Sequence, residues 1–283
     1  MKIGFLGLGS MGSGMARRLL AAGHDVVAFD PNAAALQSFA DVGGVAAVSV
    51  RDVADRAEII FASLPTIKAS KAVTLGEDGI RNGKAVRLFV ETSTIGPAEA
   101  RQMSSSLNSA GIAYLDAPVS GGVDGARDGT LTTIVGGGER LLAEVEPIYR
   151  SMASRIIHAG SDPGAGQIFK VVNNFIVMNA ISVVCQAIAV GVRAGADEQM
   201  LLDVINQSTG RNFATTTFFP NVIGPRSSAL ALDMAIKDVK LFADLAEEHG
   251  LPSDSANLVL QQWETASANG EGAVQWYEKM LRE

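Results

Sequence analysis

Two side chains able to exchange a proton and to hold a substrate oxygen lie four residues apart in this 283-residue chain. In the segment GAGQIFKVVNN, helical spacing places Lys170 and Asn174 on one face, one turn apart. Burial near a ligand would lower the pKa of the lysine, so that it could exchange a proton with a substrate hydroxyl. Asn174 could hold that hydroxyl or a substrate carboxylate. The alternative, which the same spacing allows, is that Lys170 is exposed to solvent at the start of a helix and that Asn174 has no catalytic role.

A glycine-rich segment near the start of the chain, GFLGLGSMG, predicts a dinucleotide-binding turn. Its three glycines lie between an apolar run, Lys2 to Leu8, and a helical pattern, Met11 to Ala22. We expect Gly7 to allow a tight turn, Gly9 to let the backbone approach the pyrophosphate, and Gly12 to let the helix pack on the strand. An ordinary strand-to-helix turn is the alternative for the glycines alone. The predicted cofactor contacts in this segment are Gly7, Leu8, Gly9, Ser10, Met11 and Gly12.

A second predicted strand, Asp25 to Asp30, ends in a carboxylate at the spacing expected for the ribose-binding acid. Asp30 can accept hydrogen bonds from both ribose hydroxyls and would repel a 2'-phosphate. Because residues 31–35 contain no basic side chain to pair with such a phosphate, the sequence favours NAD over NADP. The alternative role for Asp30 is to open the turn Asp30-Pro31-Asn32.

Apolar runs alternate with helical stretches up to residue 162, which predicts a Rossmann-like doubly wound α/β domain over residues 1–162. The further predicted strands are Glu58 to Leu64, Val86 to Thr92, Ala113 to Pro118, Leu131 to Val135 and Arg155 to His158. The carboxyl ends of parallel strands face the ligand crevice of such a sheet. We therefore expect the turns Leu64-Pro65-Thr66, Ser93 to Pro97 and Ser120-Gly121-Gly122 to line the cofactor, although simple loop chemistry is the alternative for each.

Only helical patterns follow, which predicts an all-helical domain over residues 163–283. Ser161 to Gly164 predicts a turn with a helix N-cap and an early proline, and the first helix runs from about Gly166 to Arg193. Val171 to Val192 carries no charge and is long enough to cross a bilayer. Its asparagines and Gln186 would be costly in lipid, so we expect no membrane span but a helix buried between domains and subunits of a homodimer or homotetramer.

The composition is that expected of a cytoplasmic enzyme. The net charge of −7 argues against nucleic acid as the main partner. The single cysteine, Cys185, allows no internal disulfide. Because the first predicted strand begins at Lys2, we expect no signal peptide. The three histidines, His24, His158 and His249, lack the spacing of metal ligands, so no metal is expected.

Four ordered segments resemble the β-hydroxyacid dehydrogenase family, which includes 3-hydroxyisobutyrate dehydrogenase and tartronate semialdehyde reductase. They are GFLGLGSMG, DAPVSGGVDGARDGTLTTIVGG, GAGQIFKVVNN and IKD at residues 236–238, and the resemblance runs the length of the chain. It implies a Rossmann-like domain joined to an all-helical domain by one long helix. It also implies hydride transfer between NAD and a small 3-hydroxy acid or semialdehyde.

The resemblance assigns roles to individual residues. It implies that Lys170 is the catalytic acid/base, assisted by Asn174, and that the substrate carboxylate binds at Ser120, Gly121 and Gly122. Thr94 and the turn at Leu64 and Pro65 are similar to nicotinamide-side contacts of the family, and Lys237 corresponds to a second active-site lysine that reaches the cofactor. Successive backbone N–H groups without side chains are suited to holding a carboxylate.

Two stretches depart from the family pattern or stay unassigned. The segment from Phe219 to Leu232 is shorter than expected, with Leu230 where a phenylalanine is usual, which leaves the substrate side group open. Arg211, Asn212 and Phe213 could lie over the site or belong to a buried connector. Two other functions remain: an imine reductase of the same architecture, disfavoured by Lys170 and Asp30, and a non-catalytic dinucleotide-binding protein.

Overall fold

The structure is a computed structural model that describes residues 2–224 and 232–282. Two compact units divide the chain, residues 1–170 and residues 171–283. Leu230 lies outside the described residues.

A nine-stranded sheet forms the centre of the first unit. Its strands are β1 (Lys2–Leu6), β2 (Asp25–Phe29), β3 (Val45–Ala46), β4 (Ile59–Ala62), β5 (Leu88–Glu91), β6 (Ala113–Asp116), β7 (Val119–Ser120), β8 (Leu131–Gly136) and β9 (Ala153–Gly160). The strand order is β3-β2-β1-β4-β5-β6-β8-β7, with β9 paired to β8. Neighbours from β3 to β6 are parallel, as are β8 and β9, whereas β8 is antiparallel to β6 and β7.

Helices cover both faces of this sheet. They are α1 (Gly12–Ala21), α2 (Ala33–Ala40), α3 (Val50–Arg56), α4 (Ile67–Leu75), α5 (Pro97–Asn108), α6 (Gly122–Asp128) and α7 (Glu139–Tyr149), with a 3-10 turn at Ile80–Asn82. Along β4, Ile59 and Phe61 belong to one buried cluster and Ile60 to the other, because successive side chains of a strand point to opposite faces. The first cluster includes apolar residues of α1 and α7, and the second those of α3 and α5. The predicted doubly wound α/β architecture is confirmed.

The predicted strands differ from the observed ones mainly at their ends and in two omissions. The first strand ends at Leu6 rather than Leu8, because Gly7 leaves the extended conformation with a φ of 90°. Strands β3 and β7 were not predicted, since two-residue strands carry no readable alternation. Ser120, predicted to lie in a turn, instead pairs with Thr132 as the last residue of β7.

Helices make up the second unit. The long helix α8 (Ala165–Arg193) begins in the first unit and continues into the second, which adds α9 (Glu198–Asn206), α10 (Leu232–Glu248), α11 (Asp254–Ala268), α12 (Ala273–Arg282) and a π-helical segment, Ala214–Ile223. Trp263 and Tyr277 are fully buried in its core. By length and composition alone, α8 is the one helix among the described residues that could cross a membrane.

Candidate active site

The glycine-rich turn after β1 has the shape that a dinucleotide requires. A Cβ atom at Gly7 would lie 2.3 Å from the carbonyl oxygen of Ser63, and one at Gly12 would lie 2.0 Å from the carbonyl oxygen of Gly7. Both positions therefore exclude a side chain. A Cβ atom at Gly9 would meet nothing within 4 Å, so the outer side of the turn is open. An approaching pyrophosphate fits this pattern of two closed positions around an open one.

Helix α1 presents its N-terminus at the end of the same turn. No side chain caps this terminus, and its first turn carries no acidic residue. Backbone N–H groups and the positive end of the helix dipole are therefore directed toward the position of an anion. The residues of this turn fit the pyrophosphate of a dinucleotide.

Asp30 lies directly beside the glycine turn. Its Oδ2 accepts a hydrogen bond of 2.6 Å from the backbone N–H of Leu8, and its Oδ1 accepts one of 2.7 Å from that of Asn32. The carboxylate thus opens the turn after β2 and also contacts the glycine segment, whereas its contact with the ribose stays a prediction. Each carboxylate oxygen can accept more than one hydrogen bond, which leaves acceptor capacity for ribose hydroxyls.

A hydrogen-bonded group joins the two turns predicted to contact the nicotinamide side of the cofactor. The backbone N–H of Leu64 donates to Ser93 Oγ at 2.7 Å, and the backbone N–H of Ser93 donates to Glu91 Oε1 at 2.9 Å. Ser93 precedes Thr94, and Leu64 precedes Pro65. The two predicted turns are therefore held next to each other by Ser93, the first residue of the predicted turn Ser93 to Pro97, to which sequence reasoning assigned no role of its own.

The predicted carboxylate-binding segment contains two glycines in unusual backbone conformations. Gly121 has a φ of 132° and Gly122 a φ of 67°, both in the region that side chains disfavour. A Cβ atom at Gly122 would meet nothing within 4 Å, which leaves the backbone accessible there. Helix α6, which Gly122 begins, packs closely on α1, since a Cβ atom at Gly14 would lie 2.9 Å from the backbone of Ala126.

The side chain of Asp116 binds the backbone at the start of α8, on the helix that carries Lys170. Its Oδ1 accepts from the backbone N–H of Gly164 at 2.6 Å, and its Oδ2 accepts from that of Gln167 at 2.9 Å. Burial raises the pKa of the Asp116 carboxyl, and the backbone donors, led by Gly164 and Gln167, partly offset that rise. Within the predicted turn Ser161 to Gly164, the carbonyl oxygen of Asp162 accepts from the backbone N–H of Ala165 at 3.2 Å, and the side chain of Asp116 binds the backbone N–H of Gly164.

Lys170 and Asn174 are both buried on α8, with 7% and 8% of their surface exposed. The solvent-exposed lysine considered as an alternative is therefore excluded. Within the second unit, Asn174 Nδ2 donates to Asp238 Oδ2 at 2.7 Å, and Lys237 Nζ lies 2.7 Å from Asp238 Oδ1. Asp238 was missed by the sequence reasoning, although it is the last residue of the quoted IKD segment. It orients the amide of Asn174.

Aromatic stacking reinforces the link between α8 and α10. The rings of Phe175 and Phe242 stack with centroids 3.6 Å apart and planes 2° from parallel. Phe175 follows Asn174, and Phe242 lies one turn beyond Asp238 on α10. The stack and the Asn174 to Asp238 hydrogen bond therefore hold the same two helices together.

The unassigned stretch near residue 212 has a local structural role. Asn212 Oδ1 accepts from the backbone N–H of Ala214 at 2.8 Å, at the start of the π-helical segment. Phe213 is half exposed. Among the described residues, no group of three His, Cys, Asp or Glu side chains is arranged to hold a metal ion.

Family models match both parts of the chain. Residues 2–160 match the NAD binding domain of 6-phosphogluconate dehydrogenase. Residues 164–281 match a domain described as the NAD-binding domain of NADP-dependent 3-hydroxyisobutyrate dehydrogenase. The two matches together cover most of the chain.

Individual relatives agree with the family models. The chain is 40% identical to the 3-hydroxyisobutyrate dehydrogenase of Pseudomonas aeruginosa over 77% of its length and 73% of that protein. It is 38% identical to the NAD-dependent L-serine dehydrogenase of the same organism, over 77% of this chain and 74% of that one. A solved 3-hydroxyisobutyrate dehydrogenase from Salmonella typhimurium superposes with a TM-score of 0.88 at 28% identity, covering 99% of each chain.

Imine reductases share only the fold. The solved enzyme from Streptomyces aurantiacus superposes with a TM-score of 0.68 at 18% identity, covering 100% of both chains. The family assignment rests on four agreeing observations: the doubly wound sheet, the long helix α8, the two family models and the relatives above. The chain belongs to the β-hydroxyacid dehydrogenase family of oxidoreductases.

Proposed function

We propose that this protein transfers a hydride between NAD and a small 3-hydroxy acid or its semialdehyde, with Lys170 as general acid/base. The observation that carries the proposal is the buried face of α8, on which Lys170 and Asn174 lie one turn apart. Burial generally lowers the pKa of a lysine, which brings its neutral form closer to the operating pH. A general acid/base must lose and regain its proton in every turnover.

The roles of the residues follow from their hydrogen-bonding capacity. The bound nicotinamide supplies the hydride acceptor. Neutral Lys170 takes the proton of the substrate hydroxyl as the carbinol hydrogen leaves, and returns it when the reaction runs as a reduction. The amide nitrogen of Asn174 has a second N–H beyond the one bonded to Asp238, and this donor holds the substrate oxygen. The backbone of Gly121 and Gly122, with Ser120, binds the substrate carboxylate.

The remaining assignments of the resemblance extend this proposal. Leu64, Pro65 and Thr94 contact the nicotinamide side, and Lys237 contacts the cofactor. The cofactor-binding domain comprises residues 1–162, and the helical domain residues 163–283.

NAD is the cofactor that Asp30 favours. A 2'-phosphate beside this carboxylate would meet a like charge, and residues 31–35 offer no cation. We expect kcat/KM to favour NAD by about 10²-fold, equivalent to roughly 2.7 kcal/mol. Equal efficiencies, or a preference for NADP, would show that Asp30 serves only the turn.

A switch of cofactor must preserve Asn32, whose side chain accepts from Ala34 N–H and Ala35 N–H as the N-cap of α2. The suitable design is therefore Asp30→Ser with Ala33→Arg, since Ala33 is exposed. This double variant should erase or invert the preference. The matched control is Ala33→Arg alone, which keeps the carboxylate and should retain NAD.

Helix α8 is the proposed contact between subunits of a cytoplasmic homodimer or homotetramer. Ile176, Val183 and Val190 are 61%, 62% and 70% exposed, and their seven-residue spacing aligns them on one side of the helix. Ile176→Lys with Val183→Lys should yield a monomer in light scattering after gel filtration. Val48→Lys, at a valine that is 86% exposed in the first unit, is the control. A monomeric wild type would contradict the proposal.

A substrate panel distinguishes the three functions considered. Purified protein is assayed with 3-hydroxy acids and NAD, with semialdehydes and NADH, and with cyclic imines and NADPH, at the absorbance of the reduced nicotinamide. We expect turnover of an acid or a semialdehyde. Turnover of imines alone would support the imine reductase, and cofactor binding without any turnover would support the non-catalytic protein.

A further inference from the structure

Ser93 and Gln167 lie between the two cofactor-side turns and the helix that carries Lys170. Ser93 is 8% exposed and Gln167 is fully buried. Gln167 Oε1 accepts from the backbone N–H groups of Ile95 at 2.9 Å and Gly96 at 3.1 Å, and its Nε2 donates to the carbonyl oxygen of Ser93 at 2.9 Å. Three hydrogen bonds of one side chain thus go to a single loop.

The network continues in both directions from these residues. On one side, Ser93 Oγ holds the backbone N–H of Leu64. On the other, the backbone N–H of Gln167 is bound by Asp116, and Lys170 follows Gln167 by three residues on the same helical face. A continuous chain of hydrogen bonds and helix backbone therefore runs from Leu64 through Ser93 and Gln167 to Lys170.

Such a chain matters for a reaction that moves a hydride and a proton together. Hydride transfer requires the reacting atoms to be held near contact distance, and a displacement of about 1 Å can reduce the rate by about 10²-fold. The proton acceptor must be placed equally well. A rigid link between the nicotinamide-side turns and the helix of Lys170 sets both distances at once.

We infer that Ser93 and Gln167 are positioning residues, which fix the turns at Leu64 and Thr94 relative to Lys170. This inference rests on the proposed function. Neither residue touches the reacting atoms in this role, so their loss should affect the chemical step far more than the binding of either ligand.

Gln167→Met tests the inference directly, because methionine keeps the volume and removes all three hydrogen bonds. We expect kcat to fall by about 10-fold to 10²-fold, with the Kd of NAD and the KM of the acid changed by less than about 3-fold. The primary deuterium isotope effect on kcat, measured with substrate deuterated at the carbinol carbon, should rise as hydride transfer becomes rate-limiting. Gln186→Met on the same helix is the control, since its amide bonds only within the second unit.

Two measurements keep the test informative if Gln167→Met is unstable. Ser93→Ala removes only the bond to Leu64 and should lower kcat in the same direction by a smaller factor. The double variant should be little slower than Gln167→Met, because either change breaks the same chain. Hydrogen exchange of the Ile95 and Gly96 amides, measured without cofactor, should accelerate in Gln167→Met and stay unchanged in Gln186→Met.

The outcomes separate this inference from the proposed function. If Lys170→Ala abolishes turnover but both Ser93→Ala and Gln167→Met keep wild-type kcat and isotope effect, the positioning role is overturned. Loss of affinity for NAD or the acid in proportion to kcat would also overturn it, since it would indicate a binding role. If Lys170→Ala is fully active, the proposed function itself fails.

Discussion

Replacing Asp116 by asparagine should destabilise the start of α8. Both carboxylate oxygens accept from backbone N–H groups, those of Gly164 and Gln167, and the residue is fully buried. Asparagine has one acceptor oxygen and one NH2 group, so a buried N–H would face another donor. Leaving one buried donor without an acceptor costs about 1–3 kcal/mol, and loss of the negative charge at the helix N-terminus adds about 0.3–1 kcal/mol. Because asparagine is uncharged, the cost of burying a negative charge disappears, and this offsets part of the lost stability.

We therefore expect Asp116→Asn to lower the free energy of unfolding by about 2 kcal/mol, or Tm by roughly 4–8 °C for a domain of 150–250 residues. Urea unfolding followed by circular dichroism measures the difference. The control is Asp197→Asn, because Asp197 also accepts a backbone N–H at a helix start, that of Met200 at 2.8 Å, but is exposed. Asparagine is an equally good N-cap, so this control should stay close to wild type.

The pH dependence of the stability difference between wild type and Asp116→Asn is a second test. Burial holds the folded-state pKa of Asp116 above its usual 3.8, so the folded protein binds this proton more tightly than the unfolded chain. The stability of the wild type relative to Asp116→Asn should consequently increase as pH falls from 7 through the raised pKa toward 3.8. Effects of the other carboxyl groups cancel in the difference. An Asp116→Asn variant as stable as wild type at pH 7, with a difference that does not change with pH, would refute this account of the helix start.

Two further predictions concern accessibility. Gly122→Val should raise the KM for acids by about 10-fold or more, whereas the control Gly43→Val should not. Both glycines have a positive φ and open space around a Cβ atom, but only Gly122 belongs to the proposed carboxylate site. Equal KM values in the two variants would show that no carboxylate binds at Gly122. Cys185 should react with a thiol reagent only after unfolding, since it is fully buried and burial raises the pKa of its thiol to about 12; rapid labelling of the native protein would show that the second unit opens.

The features that sequence predicted are those encoded by neighbouring residues. Gly7 and Gly12 act within one turn, and the close packing at both could be predicted from a strand, a turn and a helix in succession. The uncharged run that predicted α8 is likewise local, and the observed helix starts one residue before the predicted one. The same holds for the apolar runs that predicted the buried strands β4 and β5.

The features that sequence missed depend on contacts between distant residues. Asp116 binds Gly164, Gln167 binds Ile95, and Asp238 binds Asn174, and in each case the partners are separated by dozens of residues along the chain. The sequence around a single carboxylate or amide contains no pattern that predicts a hydrogen-bond partner so far along the chain. The sequence predicts the N-cap of α8 within Ser161 to Gly164, next to the helix, whereas Asp116 binds the start of α8 from a distant part of the chain.

The measurement closest to the central claim compares Lys170→Ala with Lys240→Ala in turnover and in cofactor binding. Lys240 is an exposed lysine of α10 and serves as the control. With the best substrate of the panel, Lys170→Ala should reduce kcat by about 10²-fold or more, in line with the loss of general acid/base catalysis, while the Kd of NAD from fluorescence titration stays within about 2-fold of wild type. Lys240→Ala should match wild type in both. Turnover of Lys170→Ala close to that of wild type would contradict the assignment of Lys170 as the proton carrier.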